Sequence, residues 1–308
     1  MYDFIIIGSG ASGLSAGMYA ARLNLKTLVI GEMPGGLITS THIIENWPGT
    51  VSISGPDLGM ALFNHATKSG AEFQNEKVLE VTKGVQESEN PIYTVKTTSN
   101  SYEGKAILFA TGTQHRSLDA KGIKEFENKG VSYCALCDGA FYKDKNVCIV
   151  GGGDSAAKEA IFLSQVAKKV YLIVRKDILR ADPRNQELIT QSPNIEILYN
   201  TEIVEVLGNA EGKKVGKILL NGDREIAVDG IFLAIGHVAQ TELAKDLGVE
   251  LSEKSEIKIN RKAETNLPGV YASGDCSDTE FKQAITGSAE GVTAAYYAFK
   301  YVQGGSNF

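Results

Sequence analysis

The same local pattern occurs twice in this chain: a short apolar, β-branched run ends in a glycine cluster, and a helix-compatible stretch follows. DFIIIGSGASG at 3–13 leads into LSAGMYAARLN, and NVCIVGGGDSA at 146–156 leads into AKEAIFLSQVA. Each copy reads as a strand, a tight turn and a helix, so two parallel α/β units are expected. Each also has a later strand ending in glycine, AILFATG at 106–112 and GIFLAIG at 230–236, and a further strand-like run, GVYASGDC, follows at 269–276. The second unit therefore lies inside the chain of the first. This nesting predicts a discontinuous domain of residues 1–114 and 245–308 and an inserted domain of residues 117–242. Polar-punctuated runs at 80–105 and 195–229 read as hairpin strands.

The first glycine cluster has the GxGxxG spacing, with Gly8, Gly10, Ala11 and Gly13 at the start of the helix. The first glycine permits the turn, the second lets backbone approach a pyrophosphate, and the third lets the helix pack on its strand. Glu32 follows 19 residues after Gly13, behind the strand TLVI, where an acid can accept from ribose hydroxyls or stand as a solvated turn residue. The second cluster, GGGDSA, gives Gly151, Gly153, Asp154, Ser155 and Ala156 as a GxGxxA variant. Its second strand ends in Arg175 and Lys176, with Arg180 beyond and no acid at the ribose position. Those cations suit a 2′-phosphate, hence NADPH, with NADH not excluded; a solvated basic turn is the plain alternative. The fold expectation is thus α/β with two nucleotide-binding Rossmann-like domains, the NADP domain inserted within a discontinuous FAD domain. Two dinucleotide sites in one chain suggest electron transfer between a nicotinamide and a flavin.

Composition agrees with a folded, soluble chain. Gly accounts for 33 of the 308 residues against 7 Pro; average usage gives roughly 22 and 15 in this length, so the surplus is in tight turns rather than disorder. A net charge of -6 favours neither nucleic acid nor anionic lipid, and no partner of either kind is expected. No apolar run is long enough to cross a bilayer, and the start MYDFIIIG has no basic leader region, so a cytoplasmic location is expected.

Four cysteines are too few for a disulfide scaffold, and two of them form CALC, Cys134 and Cys137. A CxxC serves as half a zinc site, as a redox disulfide, or arises by chance. Zinc would need two more ligands from four His, Cys148 and Cys276. Cys148 lies in the strand NVCIV and Cys276 beside Asp275, both read as packing residues, so a dithiol/disulfide is favoured and no metal is expected.

CALCDG between two nucleotide fingerprints resembles the low-molecular-weight thioredoxin reductases, and the resemblance covers essentially the whole chain. GGLITSTHIIENWPG (35–49) resembles that family's flavin-contacting segment, ATGTQHR (110–116) its closing strand, and AIGHVAQT (234–241) the end of its NADPH domain. GVYASGDCSDTEFKQAITGSAEG (269–291) resembles its C-terminal flavin stretch. The resemblance implies a homodimeric flavoprotein that passes hydride from NADPH to FAD, then electrons to the Cys134–Cys137 disulfide, then to thioredoxin or a thioredoxin-like protein. Cys137 would face the flavin, Cys134 would attack the partner disulfide, and Asp138 would move the proton. FAD would lie against Gly8, Gly10, Ala11, Gly13, Glu32, Gly36, Asn46, Thr111, Gly112, Gly274, Asp275, Lys282, Gln283 and Ala284. NADPH would lie against Gly151, Gly153, Asp154, Ser155, Ala156, Arg175, Lys176, Arg180 and Gly236. The departures are Leu37 where the family has Gln, Lys282 where it has Arg, and a basic motif that begins with Val174 instead of His. Because the nicotinamide and the disulfide share a domain yet meet one flavin, that domain is expected to swing about its crossings at 114–117 and 242–245. A same-fold reductase or oxidase with another electron donor or a small dithiol, and a flavin redox sensor without turnover, are the alternatives.

Overall fold

A computed structural model describes residues 1–41, 44–84 and 91–304, without the side chains of Leu136 and Cys137. The chain divides into a discontinuous unit, Met1–Gln114 with Ala239–Phe308, and an inserted unit, His115–Val238. The return crossing falls at Val238/Ala239, before the boundary expected from sequence. Two bonds account for it: the Gln240 N–H donates to Gly112 O at 3.0 Å, and Thr111 Oγ1 donates to Gln240 O at 2.5 Å.

In the discontinuous unit, the described residues form a seven-stranded sheet. Strands Glu72–Gln74, Thr27–Ile30, Tyr2–Ile7 and Ser101–Phe109 lie side by side in parallel. The strand Ser101–Phe109 then changes partner along its length. Its first half pairs antiparallel with Tyr93–Thr97, which in turn pairs with Val78–Lys83; its second half pairs in parallel with Val270–Ala272, Ile107 opposite Val270. The central runs FIII, TLVI and AILF are apolar without alternation because both sheet faces are covered. Phe4 and Ile6 point to one face with Leu14, Leu108 and Ala294, while Ile5 and Ile7 point to the other with Ile107, Phe109 and Ile257. Helices Ala11–Arg22 and Ala284–Val302 cover the first face. They approach closely because their contact is made of small residues: a Cβ on Gly291 would overlap the Ser12 carbonyl oxygen.

The inserted unit has a five-stranded parallel sheet among the described residues. Its order is Ile195–Leu198, Lys169–Ile173, Asn146–Val150, Gly230–Leu233 and Val131–Ser132. Helix Asp154–Ser164 packs through Ala156, Ala157, Ala160 and Leu163. A separate antiparallel meander joins Ile203–Gly208, Val215–Leu220 and Glu225–Ala227. The hairpin expectation for 195–229 is corrected at its start: Ile195–Leu198 is the outer parallel strand, held by Val170 opposite Ile195.

Candidate functional site

In the discontinuous unit a cavity of about 680 Å³ opens where the first glycine turn meets the end of strand Ser101–Phe109. Gly8, Gly10, Ala11, Glu32, Gly36, Thr111, Gly112, Gly274, Asp275, Gln283 and Ala284 line it. Gly8 has φ +115°, and a Cβ there would overlap the Ala110 carbonyl oxygen. A Cβ on Gly13, which stands behind the wall, would overlap Gly8 O, so the helix can begin this close to the strand only with glycine. Between them Gly10 faces open space, its nearest neighbour for a Cβ being Gly35 O at 4.0 Å. Helix Ala11–Arg22 starts there without a side-chain cap, leaving its first N–H groups to find an acceptor outside the helix.

The far wall depends on a residue that no sequence motif marked. Glu290 accepts from the Gly274 N–H at 2.8 Å and from Thr279 Oγ1 at 2.5 Å, with Ser277 Oγ at 3.4 Å. One carboxylate therefore ties the 274–279 loop, including Asp275, to helix Ala284–Val302. The spacing gives no hint of this, but Glu290 is the only acid of that helix and stands among small residues. Two residues expected at the cofactor stand outside the cavity wall. Lys282 is outside the cavity wall; its Nζ pairs with Glu256 at 2.5 Å and donates to Asp275 O at 2.8 Å. Asn46 also stands off the wall, donating through Nδ2 to Gln283 Oε1 at 3.0 Å. His42 lies outside the described residues, His65 is exposed, and Trp47 is half-buried away from the cavity wall.

In the inserted unit a second cavity, of about 640 Å³, is lined by Gly151, Gly153, Asp154, Ser155, Arg175, Lys176, Arg180 and Gly236. Ala156 is buried behind it, where a Cβ on Gly151 would meet the Ala156 Cβ at 2.7 Å. A Cβ on Gly153 would meet nothing within 4 Å, so this edge of the turn is open. The Arg180 N–H donates to Gly152 O at 2.8 Å and draws the basic segment across the turn. Arg175, Lys176 and Arg180 are all exposed, and Arg175 Nε stands 3.8 Å from Glu202 Oε1. Asp154 is held to about 2 by Lys158 at 2.7 Å, the Asp182 N–H and Asn185. Both cradles fit a dinucleotide: crowded glycines at the turn, open backbone beyond it, and a helix start facing the cavity.

The CxxC turn also belongs to the inserted unit. Cys134 is disulfide-bonded and precedes the short helix Ala135–Asp138; the Cys137 side chain lies outside the described residues. Ser132 Oγ donates to Asp138 Oδ2 at 2.6 Å and accepts from the Cys134 N–H at 3.1 Å, and the Asp138 N–H donates to Cys134 O at 3.1 Å. Ser132 thus fixes the Asp138 carboxylate against the backbone of the Cys134 turn, a role that only its place two residues before Cys134 could have suggested. Cys148 and Cys276 are free and fully buried, as packing residues should be, and burial pushes both thiols up. Near one end of the same unit, His115 stacks on Tyr133 with centroids 4.7 Å apart and lies 4.4 Å from His237. Burial, then the neighbouring His237, hold its imidazole below the usual range against the pull of Glu127.

The sequence pattern of the pyridine nucleotide-disulphide oxidoreductases matches residues 2–291. Thioredoxin reductase of Listeria innocua is 38% identical over 309 aligned residues, which span 98% of this chain and 94% of that protein. Thioredoxin reductase of Bacillus subtilis is 36% identical over 98% of this chain and 95% of its own length. The crystal structure of thioredoxin reductase from Streptococcus pyogenes superposes with a TM-score of 0.79 at 35% identity, covering 98% of each chain. With two dinucleotide cradles and a CxxC turn in one nested α/β chain, these similarities identify the protein as a member of the low-molecular-weight thioredoxin reductases, within the pyridine nucleotide-disulphide oxidoreductase family.

Proposed function

We propose that this chain is an NADPH-dependent, FAD-containing thioredoxin-disulfide reductase whose redox pair is Cys134–Cys137. The observation that carries the reading is the disulfide-bonded Cys134 on a turn whose Asp138 is held by Ser132. FAD would be held by the Gly8–Gly13 turn, Glu32, Thr111, Gly112 and the Gly274–Ala284 segment, and NADPH by the Gly151–Ala156 turn with Arg175, Lys176 and Arg180. Bound together, these two cofactors supply a hydride and pass its electron pair to a disulfide.

The chain's own residues then carry out thiol–disulfide exchange. The Cys134 thiolate attacks one sulfur of the thioredoxin disulfide, forming a mixed disulfide and releasing the other sulfur as a thiolate. Asp138, oriented by Ser132, supplies and takes back the proton that this exchange moves. Cys137 attacks Cys134, releasing reduced thioredoxin and closing the Cys134–Cys137 disulfide again. Two electrons have passed to thioredoxin and none remain on the enzyme. Cys148 and Cys276, buried and with raised thiols, take no part.

Thioredoxin is the proposed protein substrate, and the proposed setting is the cytoplasm, with two copies forming a dimer. Among the described residues no helix is long and apolar enough to cross a membrane. An anaerobic titration tests the core of the reading. NADPH should bleach the flavin absorbance, and added thioredoxin should then gain free thiols. Cys134→Ser should keep flavin reduction and abolish thiol formation; unchanged thiol formation in that variant would sink the relay.

A further inference from the structure

The second cavity receives an acid from a neighbouring strand. Strand Lys169–Ile173 leads into Arg175 and Lys176, so it presents cations where a dinucleotide fold selective for NAD presents a carboxylate. Asp177, next in the chain, is exposed and is not part of the cavity wall. Strand Ile195–Leu198 lies beside Lys169–Ile173 in parallel, with Leu198 opposite Ile173, so the two strands end side by side. The chain leaving Leu198 then runs along the basic segment. The Val174 N–H donates to Leu198 O at 2.9 Å, the Thr201 N–H to Val174 O at 3.1 Å, and the Asn200 N–H to Lys176 O at 3.2 Å. Asn200 turns the chain with φ +51°, a left-handed conformation that asparagine tolerates.

Glu202 follows, and Asn221 clamps its backbone. The Glu202 N–H donates to Asn221 Oδ1 at 3.0 Å, the Asn221 N–H to Glu202 O at 3.1 Å, and Asn221 Nδ2 to Asn200 O at 3.0 Å. The side chain so placed lines the cavity and reaches Arg175, with Oε1 3.8 Å from Nε. Both side chains are more than half exposed, so the pair adds little to stability. Asp154 shares the wall but is tied to Lys158, Asn185 and the Asp182 N–H, and Asp119 enters from the 116–119 segment beside Arg116. Glu202 is thus the wall acid that pairs with a cation suited to a 2′-phosphate.

We propose that Glu202 is a specificity-determining residue of the second cavity: it competes with a 2′-phosphate for Arg175 and accepts from the ribose 2′-hydroxyl when that phosphate is absent, so the site takes NADH alongside NADPH. This rests on the reading of the second cavity as the nicotinamide-nucleotide site. Specificity is a difference of two affinities, and one carboxylate here acts on both. Against NADPH it faces a like charge and holds part of the cation that the phosphate needs. For NADH it supplies the acceptor that strand Lys169–Ile173 does not. The backbone bonds to Asn221 and to the basic segment keep Glu202 at this place, so it does not depend on the exposed ion pair to stay there.

The test is isothermal titration of the FAD-loaded protein with NADP+ and with NAD+, in which the first cavity is already filled and no hydride moves. With Glu202 in place both nucleotides should bind, NADP+ no more than roughly tenfold more tightly; exclusion of NAD+ overturns the proposal. Glu202→Ala should strengthen NADP+ roughly threefold to tenfold, because the charge facing the 2′-phosphate is gone, and weaken NAD+ roughly tenfold, because its ribose hydroxyl has lost an acceptor. Glu202→Gln loses the charge but keeps an acceptor oxygen, so it should give the NADP+ gain with a smaller NAD+ loss, and it serves if the alanine variant does not fold. A merely structural role would shift both affinities together, so any result in which they fail to move in opposite directions overturns the proposal. Binding of neither nucleotide to the protein with Glu202 in place would overturn the reading of the cavity as well, and flavin bleaching by NADPH reports on that reading separately.

Discussion

Ser132 and Asp138 are joined by a 2.6 Å hydrogen bond across the turn that carries Cys134. The hydroxyl also takes the Cys134 N–H, so it cannot rotate away without leaving a backbone donor unpaired. Ser132→Ala should lower thioredoxin-linked turnover roughly tenfold, the equivalent of one lost positioning hydrogen bond, while flavin reduction by NADPH is unchanged. Stopped-flow and steady-state rates measured on the same preparation check this. Equal loss in both steps would mean that Ser132 only supports the fold.

The glycines of the two cradles should respond differently to alanine. Gly13→Ala places a methyl group on the Gly8 carbonyl oxygen and should cost about 1–3 kcal/mol with loss of bound FAD. Gly153→Ala meets open space, so the protein should fold and melt normally and lose affinity only for NADPH. Thermal melts with and without each nucleotide would show the contrast.

Glu290→Ala removes the acceptor for Gly274 N–H and Thr279 Oγ1. The loss of one partly buried backbone partner should weaken FAD binding by about 1–3 kcal/mol, roughly a tenfold to hundredfold rise in Kd. Flavin fluorescence on dilution measures it. Retained affinity would place the loop's stability elsewhere.

Arg175 and Glu202 stand 3.8 Å apart at the second cavity, both exposed. Arg175→Ala should weaken NADPH roughly tenfold and NADH much less, since only the former carries a 2′-phosphate. Glu202→Gln should strengthen NADPH modestly by removing a competing charge. Binding titrations with 2′,5′-ADP and 5′-AMP isolate the phosphate contribution; equal changes for both ligands would refute the assignment.

The His115–His237 pair makes the inserted unit sensitive to acid. The folded pKa of His115 is depressed below its ordinary value, so the unfolded chain binds the proton more readily and stability falls as pH drops below about 6.5. His237→Asn removes one cause and should raise the His115 pKa and soften the loss. Imidazole titration by NMR, with Tm at pH 7 and 5.5, would detect both effects; an unmoved His115 would show that burial alone sets its pKa.

What could be read in the sequence was whatever backbone geometry demands. Gly8, Gly13 and Gly151 announce themselves because no other residue fits there, and the nesting follows from where the strands recur. Side-chain partnerships were less legible. The Glu290 bond to Gly274 spans 16 residues and depends on how a helix meets a loop. Lys282 could be assigned to a cofactor from its neighbours in sequence, but only the fold brings Glu256 to it.

The seam between Ser12 and Gly291 has a consequence for biosynthesis. Residues that complete the first pocket are separated by nearly the whole length of the chain, whereas the inserted unit is contiguous from His115 to Val238. On the ribosome the inserted unit can fold while the helix Ala284–Val302 is still unmade. The Gly8–Gly13 turn must wait, its helix uncovered on one side, until the last tenth of the chain has emerged. Chaperone contact during synthesis should therefore concentrate on the first hundred residues.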